Sequence, residues 1–355
     1  MIKIEPLFVT DYTQARALLK HQPDPVLTEN LSSSSSLFFR GLTFWQHWLP
    51  CHMHLGPSVY VAKEDGVLLG LISLRSTGKS KDCWQVNHLI IHPQHRGRGV
   101  AQELLRYAFA LLGSQGVSHF ISTVSDLNSA ALSLFGSCGF RRCAKVAQYQ
   151  LEVQPDDSPQ LITDSPFRLA SSIDKHGLYL LHQEALPPDI RLIFSLCPDD
   201  FNPFELPLEK AEILLQKLTK HKQWFWISKD IERRVITSAV KVTIQEGGNF
   251  HLDFAVHPGW SHLADELVPF TLNNLKMANK QALISAKAYD FQPGLAQILK
   301  ANGMDHAGDF SLLAREHWVR AKNPSKLRSE RPVTLPSIKP AVNLPLATER
   351  KILDS

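Results

Sequence analysis

Apolar and polar residues alternate along this chain with two different periods, and the order in which the periods change predicts its elements. Ile2–Phe8 has the alternation of a strand, and Tyr12–Lys20 repeats at helical spacing behind Asp11, a candidate N-cap. An aromatic-rich helix is predicted over Leu37–Leu49, after the run Ser32–Ser36. Three strand-like stretches follow at Ser58–Lys63, Val67–Leu74 and Trp84–Ile91, the first two joined by Asp65-Gly66, a dipeptide that favours a tight hairpin. The pattern then reads helix at Val100–Leu112, strand at His119–Val124, helix at Ser129–Ser137 and a closing strand near Ala144–Val153. Strands cluster early and alternate with helices late, which predicts an α/β domain of the α+β type around a mixed sheet.

The same order recurs. Val59–Glu64 resembles Trp224–Asp230, aromatic and β-branched residues running into a Lys-acid turn, with Lys63 and Lys229 offset by 166. Val86–Pro93 resembles His251–Pro258, an apolar strand ended by His-Pro, with His92 and His257 offset by 165. Asn128–Phe140 matches Gln292–Met304 in length and apolar pattern, at an offset of 164. Three matches in order with so little drift predict an internal repeat. The copies span 1–153 and 161–321, joined by the polar linker 154–160.

Length agrees, since 355 residues suit two domains. With 44% hydrophobic and 20% charged residues, the composition excludes collagen-like, coiled-coil and wholly disordered classes. The net charge of +4 is too small for a nucleic-acid-coating surface. It also belongs to one segment: residues 322–355 carry seven Lys or Arg against three Asp or Glu, so 1–321 is formally neutral. That segment has five prolines and little periodicity, and is expected to be extended or disordered. Five scattered cysteines without CxxC or zinc spacing, no signal-like N-terminus and no long apolar run predict a cytoplasmic protein without membrane or metal.

Chemistry concentrates in Leu89-Ile-Ile-His-Pro-Gln-His-Arg96-Gly97-Arg98-Gly99-Val100-Ala101, where a strand stops at proline, a short loop turns and an amphipathic helix begins. Glycines let successive backbone N–H groups point one way, a helix N-terminus adds partial positive charge, and Arg96 and Arg98 can add charge-assisted bonds. That is a phosphate cradle, although a bare RGRG also suits an exposed turn or an RNA contact. It is no Walker loop, because neither GKS nor GKT follows.

Arg96–Ala101 resembles the Arg/Gln-x-x-Gly-x-Gly/Ala signature of the GNAT acetyltransferase superfamily, and Asn128 followed by Phe135-Gly-Ser-Cys-Gly139-Phe140 is similar to its Asn…Tyr-x-x-x-Gly-Phe. The resemblance implies two tandem GNAT-like domains, each a mixed, mostly antiparallel sheet with flanking helices and a V between its fourth and fifth strands. It implies an N-acetyltransferase in which an amine attacks acetyl-CoA directly. Leu89, Ile90 and Ile91 would pair with the pantetheine arm, and a backbone N–H near Ile90 would polarise the thioester. Arg96, Gly97, Arg98, Gly99, Val100 and Ala101 would hold the pyrophosphate, and Asn128 would bond the arm.

Some positions depart from that pattern. The family's proton-donating Tyr is Phe135, which has no proton to give; Tyr107 is an alternative donor or a core residue. For a base, strand 84–91 offers Gln85, Asn87 and His88, of which only His88 titrates near neutrality. Alternation puts Gln85, Asn87 and Leu89 on one face and His88 on the other, so His88 is a base or a packed ring, and a water chain ordered by Gln85 and Asn87 serves equally. Phe38, Phe39, Phe44, Trp45 and Trp48 either line the acceptor pocket or pack in a core.

In the second copy the loop Gly259-Trp-Ser-His262 has one glycine and no arginine, Asn128 becomes Gln292, and Phe140 becomes Met304. That copy is expected to have lost the cofactor. Two functions follow from the sequence: an N-acetyltransferase acting on a small-molecule or peptide amine, or an acetyl-CoA-binding regulatory protein without turnover. Neither needs nucleic acid or a membrane, and either a monomer or a homodimer is expected.

Overall fold

The computed structural model describes residues 2–19, 58–154, 165–201, 223–279 and 281–317. The predicted Leu37–Leu49 helix, the linker beyond Gln154 and the proline-rich tail lie outside these residues. The described strands are β1 (Lys3–Pro6), β2 (Ser58–Glu64), β3 (Val67–Ser76), β4 (Cys83–Ile91), β5 (His119–Ser125), β6 (Arg141–Glu152), β7 (Arg168–Leu169), β8 (Gln223–Asp230), β9 (Val235–Ile244), β10 (Phe250–Val256), β11 (Leu283–Tyr289) and β12 (Asp305–Glu316). The helices are α1 (Tyr12–Leu19), α2 (Val100–Ser114), α3 (Ser129–Ser137), α4 (Lys175–Ala185), α5 (Pro188–Phe194), α6 (Ala264–Ala278) and α7 (Leu295–Ala301). All lie in one unit, Met1–Val319.

The strands form a single twelve-stranded sheet in the order β1-β2-β3-β4-β5-β12-β6-β11-β10-β9-β8-β7. Its pairs are antiparallel except β4–β5 and β10–β11. The two ends of this order carry the two sequence repeats as near mirror sequences of pairing. The middle mixes them: β12, last strand of the second repeat, pairs with β5 and β6 of the first, and β6 pairs with β11 of the second. Each half-sheet is therefore completed by the other repeat's closing strand, which ties both halves into one hydrogen-bonded layer.

Helices cover both faces. On one, Val100, Leu104, Leu105, Ala108, Phe109 and Leu112 form the buried stripe of α2, packed with Phe135 of α3 against β2–β5; α6 and α7 cover the second half likewise through Leu267, Leu275 and Leu299. At ~1.5–3 kcal/mol per buried large apolar side chain, such a stripe anchors each helix far more strongly than its intrinsic propensity. On the other face lie α1, α4 and α5. Asp11 precedes α1 as expected, but its carboxylate accepts from the Phe8 N–H at 3.0 Å and pairs with Lys63 at 2.6 Å, tying the helix entrance to β2. The hairpin at Asp65-Gly66 takes positive φ at both residues, the turn the dipeptide predicts.

Candidate acyl-transfer site

Strand β4 runs parallel to β5 only from Cys83 to Gln85, opposite His119 to Ile121; beyond that the two diverge. On its other edge β4 stays paired with β3 as far as Ile91 opposite Gly70. From Val86 to Ile91 its inner edge thus borders a V, with Leu89, Ile90 and Ile91 along one arm. The Ser122 hydroxyl reaches across the apex to the Val86 carbonyl at 3.4 Å.

One residue changes the face assignment made from alternation. Ser73 pairs with His88 and Leu74 with Val86, so Asn87 is the extra residue of a β-bulge. The bulge resets the alternation. Trp84, Val86, Leu89 and Ile91 share the α2 face, whereas Gln85 lies with His88 and Ile90 on the opposite one. The corresponding pairing of β9 with β10 runs without a bulge. Asn87, rather than Gln85 or His88, marks the discontinuity in the V.

At the open end of the V, residues Pro93–His95 make a 3-10 turn whose entry is fixed by the His92 ring, accepting from the Gln94 N–H at 3.3 Å. Gly97 and Gly99 then adopt φ of +76° and +79°, a region that costs a residue bearing Cβ about 1–2 kcal/mol. No atom lies within 4 Å of a Cβ built on either, so the space in front of them is open. Gly99 is the N-cap of α2 and supplies no side-chain cap; the Glu103 N–H returns to the Gly99 carbonyl, which leaves the N–H groups of Val100, Ala101 and Gln102 facing the loop. Arg96 Nε donates to the Ile91 carbonyl at 3.4 Å, holding the loop to the strand end. Arg98 is held by Glu64 at 2.9 Å and contacts His95 Nδ1, also at 2.9 Å, so it stands beside the cradle rather than across it. These groups fit a pyrophosphate: fixed donors, a helix N-terminus and two cations.

Asn128 caps α3, its Oδ1 accepting from the Ala131 N–H at 3.0 Å, which leaves its amide nitrogen as the group to meet a ligand. Phe135 is buried against Phe140, ring centroids 4.9 Å apart, and offers no polar atom to the V. Tyr107 packs edge-on to Tyr60 at 5.4 Å, two turns along α2 from the loop, the core role. His88 is 3% exposed, and burial pulls its pKa to about 4. Its ring is neutral near pH 7 and a poor proton acceptor there.

The second V is built alike, with β10 and β11 paired only over Phe250–Leu252 and Ile284–Ala286. Here the gap is bridged from within: Gln292 donates through Nε2 to the Phe254 carbonyl at 2.8 Å and accepts from the Tyr289 N–H at 3.0 Å. The loop behind it has no left-handed glycine pair. His257 pairs with Glu184 at 2.8 Å and packs edge-on to Trp260, over which the Arg233 guanidinium lies at 5.3 Å. Side chains fill the place that the first loop leaves open.

Sequence reasoning missed what the second repeat does on the α1 face of the first. Ile193 and Phe194 of α5 pack on Cys83, Ile121 and Ala314, and Asp200 accepts from the Lys79 N–H at 2.7 Å. Arg75 of β3, opposite Gln85, was also missed; a lone arginine in an apolar strand carries no motif. Among the described residues no group of His, Cys, Asp or Glu is placed to hold a metal.

A sheet therefore opens into a V at a parallel pair, and a helix without a side-chain cap begins at its mouth. Residues 27–140, about a third of the chain, match the Acetyltransferase (GNAT) family. A "Probable N-acetyltransferase family 8 member 5" of Mus musculus is 28% identical over 97 residues, 26% of this chain and 43% of that protein. Human "N-acetyltransferase 8B" is 33% identical over 58 residues, 16% of this chain and 26% of that protein. The chain thus spans less than half the length of these curated relatives. Two solved structures share the fold over most of their length: a GCN5-related N-acetyltransferase from Sphaerobacter thermophilus, at TM-score 0.57 and 14% identity over 89% of this chain and 95% of that one, and a tandem GNAT protein from the clavulanic acid biosynthesis pathway, at TM-score 0.52 and 12% identity over 89% and 98%. No described helix is long and apolar enough to cross a membrane.

Proposed function

We propose that the protein is an acetyl-CoA-dependent N-acetyltransferase whose reaction takes place in the first V only. The contrast between the halves carries this reading: one V is open and backed by a glycine cradle, and the other is bridged by Gln292 and filled at its loop. Acetyl-CoA supplies an activated acetyl group, which the acceptor amine takes by direct attack. The N–H groups of Gly97–Ala101 and the charge of Arg96 and Arg98 hold its pyrophosphate; the free edge of Leu89–Ile91 and the Asn128 amide hold the arm. The bulge at Asn87 turns a backbone N–H out of the ladder, and this donor, with that near Ile90, is the group to stabilise charge developing on the carbonyl oxygen.

The amine must arrive without its proton. His88, with its pKa near 4, has little driving force to remove it. A water relay ordered by Gln85, two residues before the bulge, and Asn87, within it, fits the deprotonation better. With Phe135 inert, water also protonates the departing thiolate, an undemanding step for a leaving group of pKa ~8.5. The test is thiol release from acetyl-CoA by the full chain with a library of primary amines. Amine-dependent release supports transfer, and tight acetyl-CoA binding with no release on any amine supports the second reading, a cofactor-binding regulator.

A further inference from the structure

The row of residues at the apex of the first V runs Arg75, Gln85, Ile121, Ala314 across β3, β4, β5 and β12, so these four side chains share one face. That face is opposite the one covered by α2 and α3, and hence opposite the cofactor loop. Ile193 and Phe194 of α5 rise beside Ile121 and Ala314. Farther along, Asp200 ties the following loop to the β3–β4 hairpin at Lys79, only four residues from Arg75. The second repeat thus packs beside Ile121, the cross-strand neighbour of Gln85, and reaches the hairpin that follows Arg75.

Arg75 itself is solvent-accessible, yet the protein around it depresses its pKa, and desolvation is the only cause of that shift. Among the described residues no carboxylate pairs with it. Partial desolvation without a carboxylate partner among the described residues favours an anion there, and guanidinium geometry suits a two-pronged oxyanion. Gln85 is two residues from the bulged Asn87, about 7 Å along the strand, a span within the reach of an arginine side chain.

We propose that Arg75 binds a carboxylate on the acceptor, so that the substrates are amines bearing an acid group close by, such as amino acids or short peptides, read on the sheet face opposite the cofactor loop. This rests on the transfer reading above for its substrate sense, but the anion subsite is testable without turnover. Full-length protein saturated with CoA is treated with phenylglyoxal, and modification of Arg75 is followed by peptide mass spectrometry in the presence of free amino acids and dipeptides or their C-terminal amides. The free acids are expected to slow modification at least fivefold, and the amides to leave it unchanged; equal protection by both series, or by neither, overturns the subsite.

Thiol release gives the second arm. Arg75→Gln is expected to lower kcat/KM for the acids about 10- to 100-fold, the range for losing a charge-assisted bond, with amides changed less than twofold and Arg75→Lys intermediate. Protection by acids with no thiol release from any amine leaves the subsite standing and removes the transfer reading. Release from acids and amides alike, with no protection, leaves transfer standing and removes the subsite.

Discussion

Replacing Gly99 by alanine separates the cost of the fold from the cost of the function, provided Gly66→Ala is measured beside it. Both glycines hold φ near +80°, at +79° and +81°, and a Cβ on either meets no protein atom within 4 Å. Each substitution therefore incurs the same conformational penalty and no internal clash, about 1–2 kcal/mol. By stability alone the two variants are indistinguishable, each lowering Tm by about 2–4 °C or somewhat more. Their surroundings differ: Gly66 turns the β2–β3 hairpin, whereas Gly99 caps α2 where the free N–H groups face the open loop. A methyl group at 99 projects into the space assigned to the pyrophosphate and tilts the first-turn donors. Acetyl-CoA affinity, measured by isothermal titration calorimetry, is expected to fall tenfold or more in Gly99→Ala and less than twofold in Gly66→Ala. Equal affinities in the two variants, with equal Tm loss, would refute the cradle.

Two further predictions concern pH. Because burial depresses His88 to about 4 from an ordinary 6.5, the unfolded chain binds the proton more readily; stability contributed by keeping the ring neutral is present above pH 6.5 and is lost as pH falls toward 4, by up to about 3 kcal/mol. His88→Gln should flatten that part of a urea-denaturation series, and an unchanged slope would show that the ring is not buried neutral. Asp174, paired with Arg168 through two bonds of 2.8 Å and accepting from Ser171, has its pKa lowered to about 2, chiefly by Arg168. Its contribution, about 2 kcal/mol, is present above pH 4 and lost as pH falls through 2, so Asp174→Asn should destabilise the protein near neutrality and by less in acid.

Much of the site was legible because its chemistry is local. The Arg96–Ala101 loop, its strand and its helix are consecutive, and glycine spacing alone announces a backbone held at positive φ. The different chemistry of the second loop was legible for the same reason, since Gly259–His262 has one glycine and no arginine and Gln292 replaces the asparagine. Three features were not. The bulge at Asn87 adds one residue to a strand without changing its composition, and it moved Gln85 onto the face of His88. The exchange of β6 and β12 is invisible because both strands alternate in the same way, and either half-sheet offers an equivalent edge. The packing of α5 on Cys83 joins residues over a hundred positions apart, a proximity that no pattern within one repeat encodes.

The central claim is that a duplicated fold keeps one working cofactor site, and the number of acetyl-CoA molecules bound per full-length chain tests it most directly. Calorimetric titration should give one equivalent, abolished by Gly99→Val and untouched by Trp260→Ala. Two equivalents, or a single one that survives the change at Gly99 and disappears with the change at Trp260, would contradict the assignment of the site to the first V.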